Sequence, residues 1–294
     1  MINRNDPCWC KSGKKWKTCH YPIKGNSLPT PAEIKSLYFR KHGIVIKNEK
    51  QIEGIKRACL LTAQILDKTC AFVQEGITTQ ELNDYAHNLH LEAGAIPAPL
   101  HYGTPPFPKS ICTSLNEVIC HGIPGKRKLC KGDIMNIDLS CILNGYYGDC
   151  SRMVAIGPVS EERQLVTDVS YECLMKSIDP LKPGVLVSKI GEIIEEHAKK
   201  RSCSVVYQFV GHGVGIDFHE GPQIPHHKNS VDIPLVPGMT FTIEPMINAG
   251  VREAIIDPVD HWTARTKDGR ASAQWEHTIL ITEEGHEILT PWKK

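Results

Sequence analysis

Residues 134–156 read IMNIDLSCILNGYYGDCSRMVAI, two runs of alternating apolar residues on either side of Asn144-Gly145. Asn-Gly between such runs is the strongest short signal for a two-residue hairpin turn. With these two residues as the turn, Asp138 falls opposite Ser151 and Asp149 opposite Ser140. The aspartates are then diagonal neighbours on one face, about 7–8 Å apart at the backbone. Two carboxylates buried together without a cation would force one of them to keep its proton, whereas divalent ions resolve the conflict. Taken alone, the hairpin also fits an exposed face carrying two solvated aspartates.

Three further segments supply company for the pair. FVGHGVGIDFHEGP carries His212 and His219 among glycines that let backbone crowd a site. TFTIEPMI places Glu244, and SAQWEHTILI places Glu276, inside β-branched apolar strands where a lone carboxylate is expensive. Either glutamate alone could face solvent. Together, Asp138, Asp149, His212, Glu244 and Glu276 form a hard, oxygen-rich set suited to Mn²⁺, Fe²⁺, Co²⁺ or Zn²⁺. Two such ions activate water and polarise a carbonyl, which is the equipment for peptide hydrolysis.

The rest of the chain frames this site. Its 294 residues can bury a large core, and a net charge of +1 gives no global attraction to nucleic acid or membrane. No apolar run is long enough to span a bilayer and the start lacks a signal peptide, so a cytoplasmic, membrane-free protein is expected. From Asn48 a helix carries Ile52, Ile55, Cys59, Ala63, Leu66 and Cys70 at helical spacing, and Thr78 with Glu81 caps a second that stops near Gly94. Strands follow from about Ile111 to Ala155. After Gly157-Pro158, Ser160 opens a helix to about Ile178 and Ser188 another to about Arg201, and strands dominate from Val205. Helix, helix, strands, twice over, predicts an internally duplicated α/β (α+β) catalytic domain over 48–294, with a site between its halves.

The N-terminus is different. Cys8, Cys10, Cys19 and His20 lie in a short basic stretch with Lys11, Lys14, Lys15 and Lys17. Three thiolates and an imidazole make a closed tetrahedral set for one structural Zn²⁺, which so short a segment needs in order to fold. A basic tail with incidental cysteines is the alternative. The remaining cysteines, Cys59 to Cys203, are scattered through apolar segments and read as buried small hydrophobes. Residues 25–47, with Gly25, Pro29, Pro31 and Gly43, read as a linker or as an arm laid across the next domain.

Two family resemblances attach to these residues. The Cys8–His20 pattern resembles the SEC-C zinc motif, which implies a docking module over residues 1–24 that engages the ribosome or an export chaperone. NEVICHGIP, NIDLSCILNGYYGDCSR, GHGVGIDFHEGP, TFTIEPM and AQWEHTILIT resemble type I bacterial methionine aminopeptidases over about residues 45–292. That likeness implies the pita-bread fold with a pseudo-twofold relation between halves and two active-site metal ions. It implies that Asp138 binds one metal, that Asp149 and Glu276 bridge both, and that His212 and Glu244 complete the other. Glu244 also relays protons, and His121 and His219 bind the substrate amide and the developing oxyanion. It implies a methionine pocket built from Tyr102, Phe107, Phe218 and Trp262. The implied substrates are nascent polypeptides with N-terminal Met and a small second residue, handled by a monomer. Aminopeptidase P and prolidase share the fold, but carry a large preceding domain for which the residues before Asn48 are too few. Type II enzymes carry a helical insertion for which the Glu244–Glu276 interval leaves no room. A non-catalytic binding protein on the same fold, working through its basic tag, is the rival of another class; the intact ligand set argues against it.

Overall fold

Strands Ile134–Leu143 and Tyr146–Ala155 pair antiparallel about Asn144 and Gly145, with Asp138 opposite Ser151 and Asp149 opposite Ser140. This is the register that the Asn-Gly turn predicts, and both turn residues take the positive φ (52° and 80°) that such a turn requires. The computed structural model describes residues 4–8, 13–19 and 30–293.

The hairpin is extended by Cys112–Leu115 and Ile96–Pro97, which pair with Ile134–Leu143 and put Cys112 opposite Asp138. A second sheet has five strands, in the order Glu220–Ile224, Gly211–Gly213, Thr240–Ile243, His277–Ile281 and His286–Ile288. The two sheets meet where Ser151 bridges to Glu276, whose N–H donates to the Ser151 carbonyl at 3.2 Å. Two smaller sheets complete the strand layer. Met246–Asn248 lies between Ser272–Gln274 and Ser204–Val205, and Ala264–Thr266 lies between Ala254–Ile256 and Val118–Cys120.

Helices cover one side of these strands, in the order that the sequence predicts. Glu49–Ala71 packs on the hairpin and Thr79–Glu92 beside it; Glu161–Ile178 packs on Met246–Asn248 and Ser272–Gln274, with Ser188–Lys200 beside that. Thr78 and Glu81 close a reciprocal capping box, and Ser160 accepts from the Arg163 N–H. Ser188 opens its helix as expected, although the cap position before it, Val187, offers no side-chain acceptor. The helix Glu49–Ala71 approaches the hairpin so closely that a Cβ on Gly148 would stand 2.6 Å from the backbone at Ala58 and Cys59. Leu66, Ile137, Val169, Ile194, Phe241 and Ile279 represent the continuous core between helices and sheets.

Two expectations change. Residues 31–42, within the stretch read as linker or arm, form a helix: Thr30 and Glu33 make a capping box, Pro31 opens the first turn and Gly43 ends it in the left-handed region. The helix is bound to the domain through the buried Tyr38, whose hydroxyl donates to the Pro234 carbonyl at 2.8 Å. Of the scattered cysteines, Cys130 is exposed, not buried, because it sits in a turn beside Lys131 and Gly132; the others from Cys59 to Cys203 are buried.

At the N-terminus, Cys8 donates its N–H to the Lys14 carbonyl and packs with Trp16 and Cys19, the latter two within a single helical turn. Cys10 and His20 lie outside the described residues, as does the whole segment that joins this turn to Thr30. Among the described residues no helix is long and apolar enough to cross a membrane.

Candidate metal centre

A cavity of about 610 Å³ opens where the two sheets meet. All eleven residues expected there line it: Asp138, Asp149, His212, Glu244 and Glu276 on one side, with His121, His219, Tyr102, Phe107, Phe218 and Trp262 around them. Each acidic residue or histidine arrives on or beside a strand. The hairpin brings both aspartates, Gly211–Gly213 brings His212, and Glu244 follows Thr240–Ile243 where Pro245 ends the ladder. Glu276 sits between two strand segments. Gly213 is required for this convergence, since a Cβ there would lie 2.1 Å from the Gly221 carbonyl oxygen.

Ligand atoms of Asp149, His212 and Glu276 lie within 4.8 Å of one another. His212 Nε2 stands 3.6 Å from Asp149 Oδ2 and 3.7 Å from Glu244 Oε1, beyond hydrogen-bond range and close to ligand–ligand spacing around a single ion. His212 Nδ1 donates to the Gly213 carbonyl at 3.0 Å, which leaves the Nε2 lone pair facing the carboxylates. The carboxylates are held from behind. Ser140 Oγ donates to Asp149 Oδ1 at 2.6 Å, Thr242 Oγ1 to Glu244 Oε1 at 2.7 Å, and Gln274 Nε2 to Glu244 Oε2 at 3.1 Å.

The electrostatics state the need for a cation. Burial pushes Asp149 up to about 6 despite the Ser140 hydroxyl, and drives Asp138, Glu244 and Glu276 well above the carboxylate range, reinforced by their mutual repulsion. Among the described residues no Lys or Arg forms an ion pair with any of the four. Four oxygen-donor side chains and one imidazole, without a protein counter-ion, fit divalent metal.

The two further histidines are neutral donors. Burial lowers His121 and His219 to about 4. His121 takes a positive φ of 56° just past Val118–Cys120, and its ring meets Trp262 and Phe209 edge-on. His219 is tilted against His212 at 4.1 Å between centroids and stacks on Tyr102 at 5.0 Å. Phe107 meets Trp262 edge-on at 5.3 Å, and both line the same cavity as the carboxylates. Beneath His219, Glu220 receives the Lys47 ammonium at 2.8 Å, with the two side chains 1% and 6% exposed.

Cavity residues that the sequence did not announce include Cys112, Gln208, Phe209 and Met246. Cys112 had a usable signal, since it faces Asp138 in register. The other three reach the cavity through packing between sheets, which no local pattern encodes.

Comparison with known proteins agrees with this geometry. Residues 53–283 match the model of metallopeptidase family M24, and residues 4–22 match the SEC-C motif. A methionine aminopeptidase of Chlamydia muridarum is 58% identical over 290 residues, covering 98% of this chain and 99% of its own. The crystal structure of methionine aminopeptidase from Rickettsia prowazekii superposes with a TM-score of 0.81 at 45% identity, covering 84% of this chain and 99% of its own. Prolidase from Pyrococcus furiosus, 24% identical over 89% of this chain and 68% of its own, shares the fold alone, with a TM-score of 0.68. The architecture is the pita-bread fold, and the chain belongs to metallopeptidase family M24, among its methionine aminopeptidases.

Proposed function

We propose that this chain releases the initiator methionine from polypeptides whose second residue is small, as a type I enzyme. The observation that carries the reading is the convergence of Asp138, Asp149, His212, Glu244 and Glu276 in a cavity that Tyr102, Phe107, Phe218 and Trp262 also line. The Glu244–Glu276 interval holds only short strands and turns, which favours type I over type II.

Asp138, Asp149, His212, Glu244 and Glu276 would hold the two ions between them, with Asp149, His212 and Glu276 as the tightest group. Bound divalent ions, Co, Mn, Fe or Zn, supply activated water and a Lewis acid for the scissile carbonyl. Glu244, held by Thr242 Oγ1 on one carboxylate oxygen and Gln274 Nε2 on the other, accepts a proton and passes it to the leaving amine. His121 and His219, neutral at pH 7, donate from ring nitrogens to the substrate amide and the developing oxyanion. Tyr102, Phe107, Phe218 and Trp262 take up the unbranched thioether side chain and exclude larger ones.

Residues 1–24 form a separate module whose Cys8, Cys10, Cys19 and His20 hold one structural zinc and which docks a monomer on the ribosome in the cytoplasm. Residues 48–294 are the catalytic domain. Release of methionine from Met-Gly-x, with and without chelator, tests the enzymatic reading; no release with Mn²⁺, Fe²⁺ or Co²⁺ would overturn it. Ribosome co-sedimentation of the full chain against one lacking residues 1–24 tests the module, and equal binding would remove it.

A further inference from the structure

Strand Ala254–Ile256 is the outer edge of its sheet, and its pairing fixes which backbone groups face outward. Ala254 stands opposite Thr266, Ile255 opposite Arg265 and Ile256 opposite Ala264. Asp257 donates its N–H to the Thr263 carbonyl at 2.9 Å, and Lys267 donates to the Glu253 carbonyl at 3.0 Å. Hydrogen-bonded pairs therefore fall at 253, 255 and 257, and the N–H and C=O of Ala254 and Ile256 point away from the sheet.

At Ala254 both outward groups are used. The Gln208 side-chain amide accepts from the Ala254 N–H at 2.6 Å and donates to the Ala254 carbonyl at 2.9 Å, as a peptide unit of a neighbouring strand would. At Ile256, among the described residues, neither outward group has a partner. The side chains around it are apolar and exposed: Ile255 51%, Ile256 42% and Val259 86%.

This edge runs beside the catalytic cavity. Gln208, at one end, lines the cavity; Trp262, in the turn beyond the other end, lines it too. Ile256 pairs with Ala264, and Ala264 pairs with Cys120, the residue before His121. The free edge thus lies two strands, about 10 Å, from the strand that ends at Cys120 just before His121, and a chain added to it would lie about 14 Å away. An extended peptide covers that span in four or five residues at roughly 3.3 Å each.

We propose that the segment of a peptide substrate four to six residues from its N-terminus adds to this edge, exchanging two main-chain hydrogen bonds with Ile256 and resting on Ile255 and Val259. The recognition is sequence-tolerant, because main-chain bonds carry it, and it suits an enzyme that must accept many different chains. It rests on the aminopeptidase reading and specifies how that site takes long substrates.

The experiment compares Met-Gly-Gly with a Met-Gly-initiated heptapeptide on the metal-loaded full chain, wild type and Ile256→Pro. Proline removes the outward N–H while leaving the bonded pairs at 255 and 257 intact. Wild type should favour the heptapeptide by about five-fold or more in kcat/KM, mostly through KM, for two such bonds. Ile256→Pro should abolish that preference with the tripeptide rate unchanged. A heptapeptide N-methylated at residues four to six should behave on wild type as the tripeptide does, which keeps the proposal open to refutation should the proline variant fold poorly. Equal kcat/KM for both lengths on wild type, or a preference that survives N-methylation, overturns the proposal. No cleavage of either peptide would instead overturn the aminopeptidase reading.

Discussion

The ion pair between Lys47 and Glu220 offers a test that needs neither metal nor substrate. Lys47 reaches from the segment after the N-terminal helix to the residue that follows His219. Burial works against its charge and the Glu220 carboxylate supports it. Replacing Lys47 by Met keeps the apolar stem but strips the charge, leaving Glu220 buried with only backbone donors, chiefly the Ile216 N–H at 2.9 Å. Breaking a buried pair from one side costs about 3–5 kcal/mol. The surviving Ile216 bond places this case near the lower end, about 3 kcal/mol, which for a chain of this length corresponds to a fall in Tm of about 5 °C. Urea unfolding followed by tryptophan fluorescence measures the loss. The double variant Lys47→Met/Glu220→Gln, in which no charge is left uncompensated, should regain at least half of it. A loss below about 1 kcal/mol for the single variant, or a double variant no more stable than the single, would refute the reasoning.

Gly148→Ala should destabilise by at least 1–3 kcal/mol, because its Cβ would collide with backbone at Ala58 and Cys59, and chemical denaturation reads that directly. Chelation should lower Tm and Mn²⁺ should restore it, by about 2.7 kcal/mol at a hundred times Kd, as scanning calorimetry will show. His121→Ala and His219→Ala should each lower kcat by about 10²–10³ with the metal content unchanged by elemental analysis. Glu195 supplies the pH test. Burial alone would raise its pKa, but donors from Lys199, Tyr207 and the Lys228 N–H outweigh it and hold it down at about 2. A depressed carboxylate stabilises the fold above its unfolded value near 4.3 and ceases to do so as pH falls toward 2. Glu195→Gln should therefore cost about 1–2 kcal/mol at pH 7, after discounting the exposed Lys199, and the gap from wild type should close between about pH 4 and 2.

The sequence made legible what local rules control. Asn144-Gly145 set the hairpin register, Thr78-Glu81 and Ser160 set helix starts, and glutamates inside apolar strands signalled an expensive burial with a cause. What stayed hidden has a physical reason. Thr30 and Glu33 form a capping box, but among Gly25, Pro29 and Gly43 the prolines and glycines read as breakers, although Pro31 sits where a helix welcomes it. Gln208, Phe209 and Met246 reach the cavity only because sheets distant in sequence pack together. The free edge at Ile256 depends on the parity of a pairing that no alternation in Ala254–Ile256 reveals.

The Asn144-Gly145 turn is also a ruler that descent must respect. Side chains alternate at every residue, so one residue gained or lost in either strand between the turn and its aspartate would send that aspartate to the helix side. Tyr146 packs over Gly54 and Tyr147 stacks on Phe218, so packing constrains composition there, and the pleat constrains length as well. Viable lineages of this hairpin should differ by substitution, or by paired insertions that preserve parity, and a single-residue deletion between Asp138 and Asp149 should be lethal to the site even when every ligand survives in the gene.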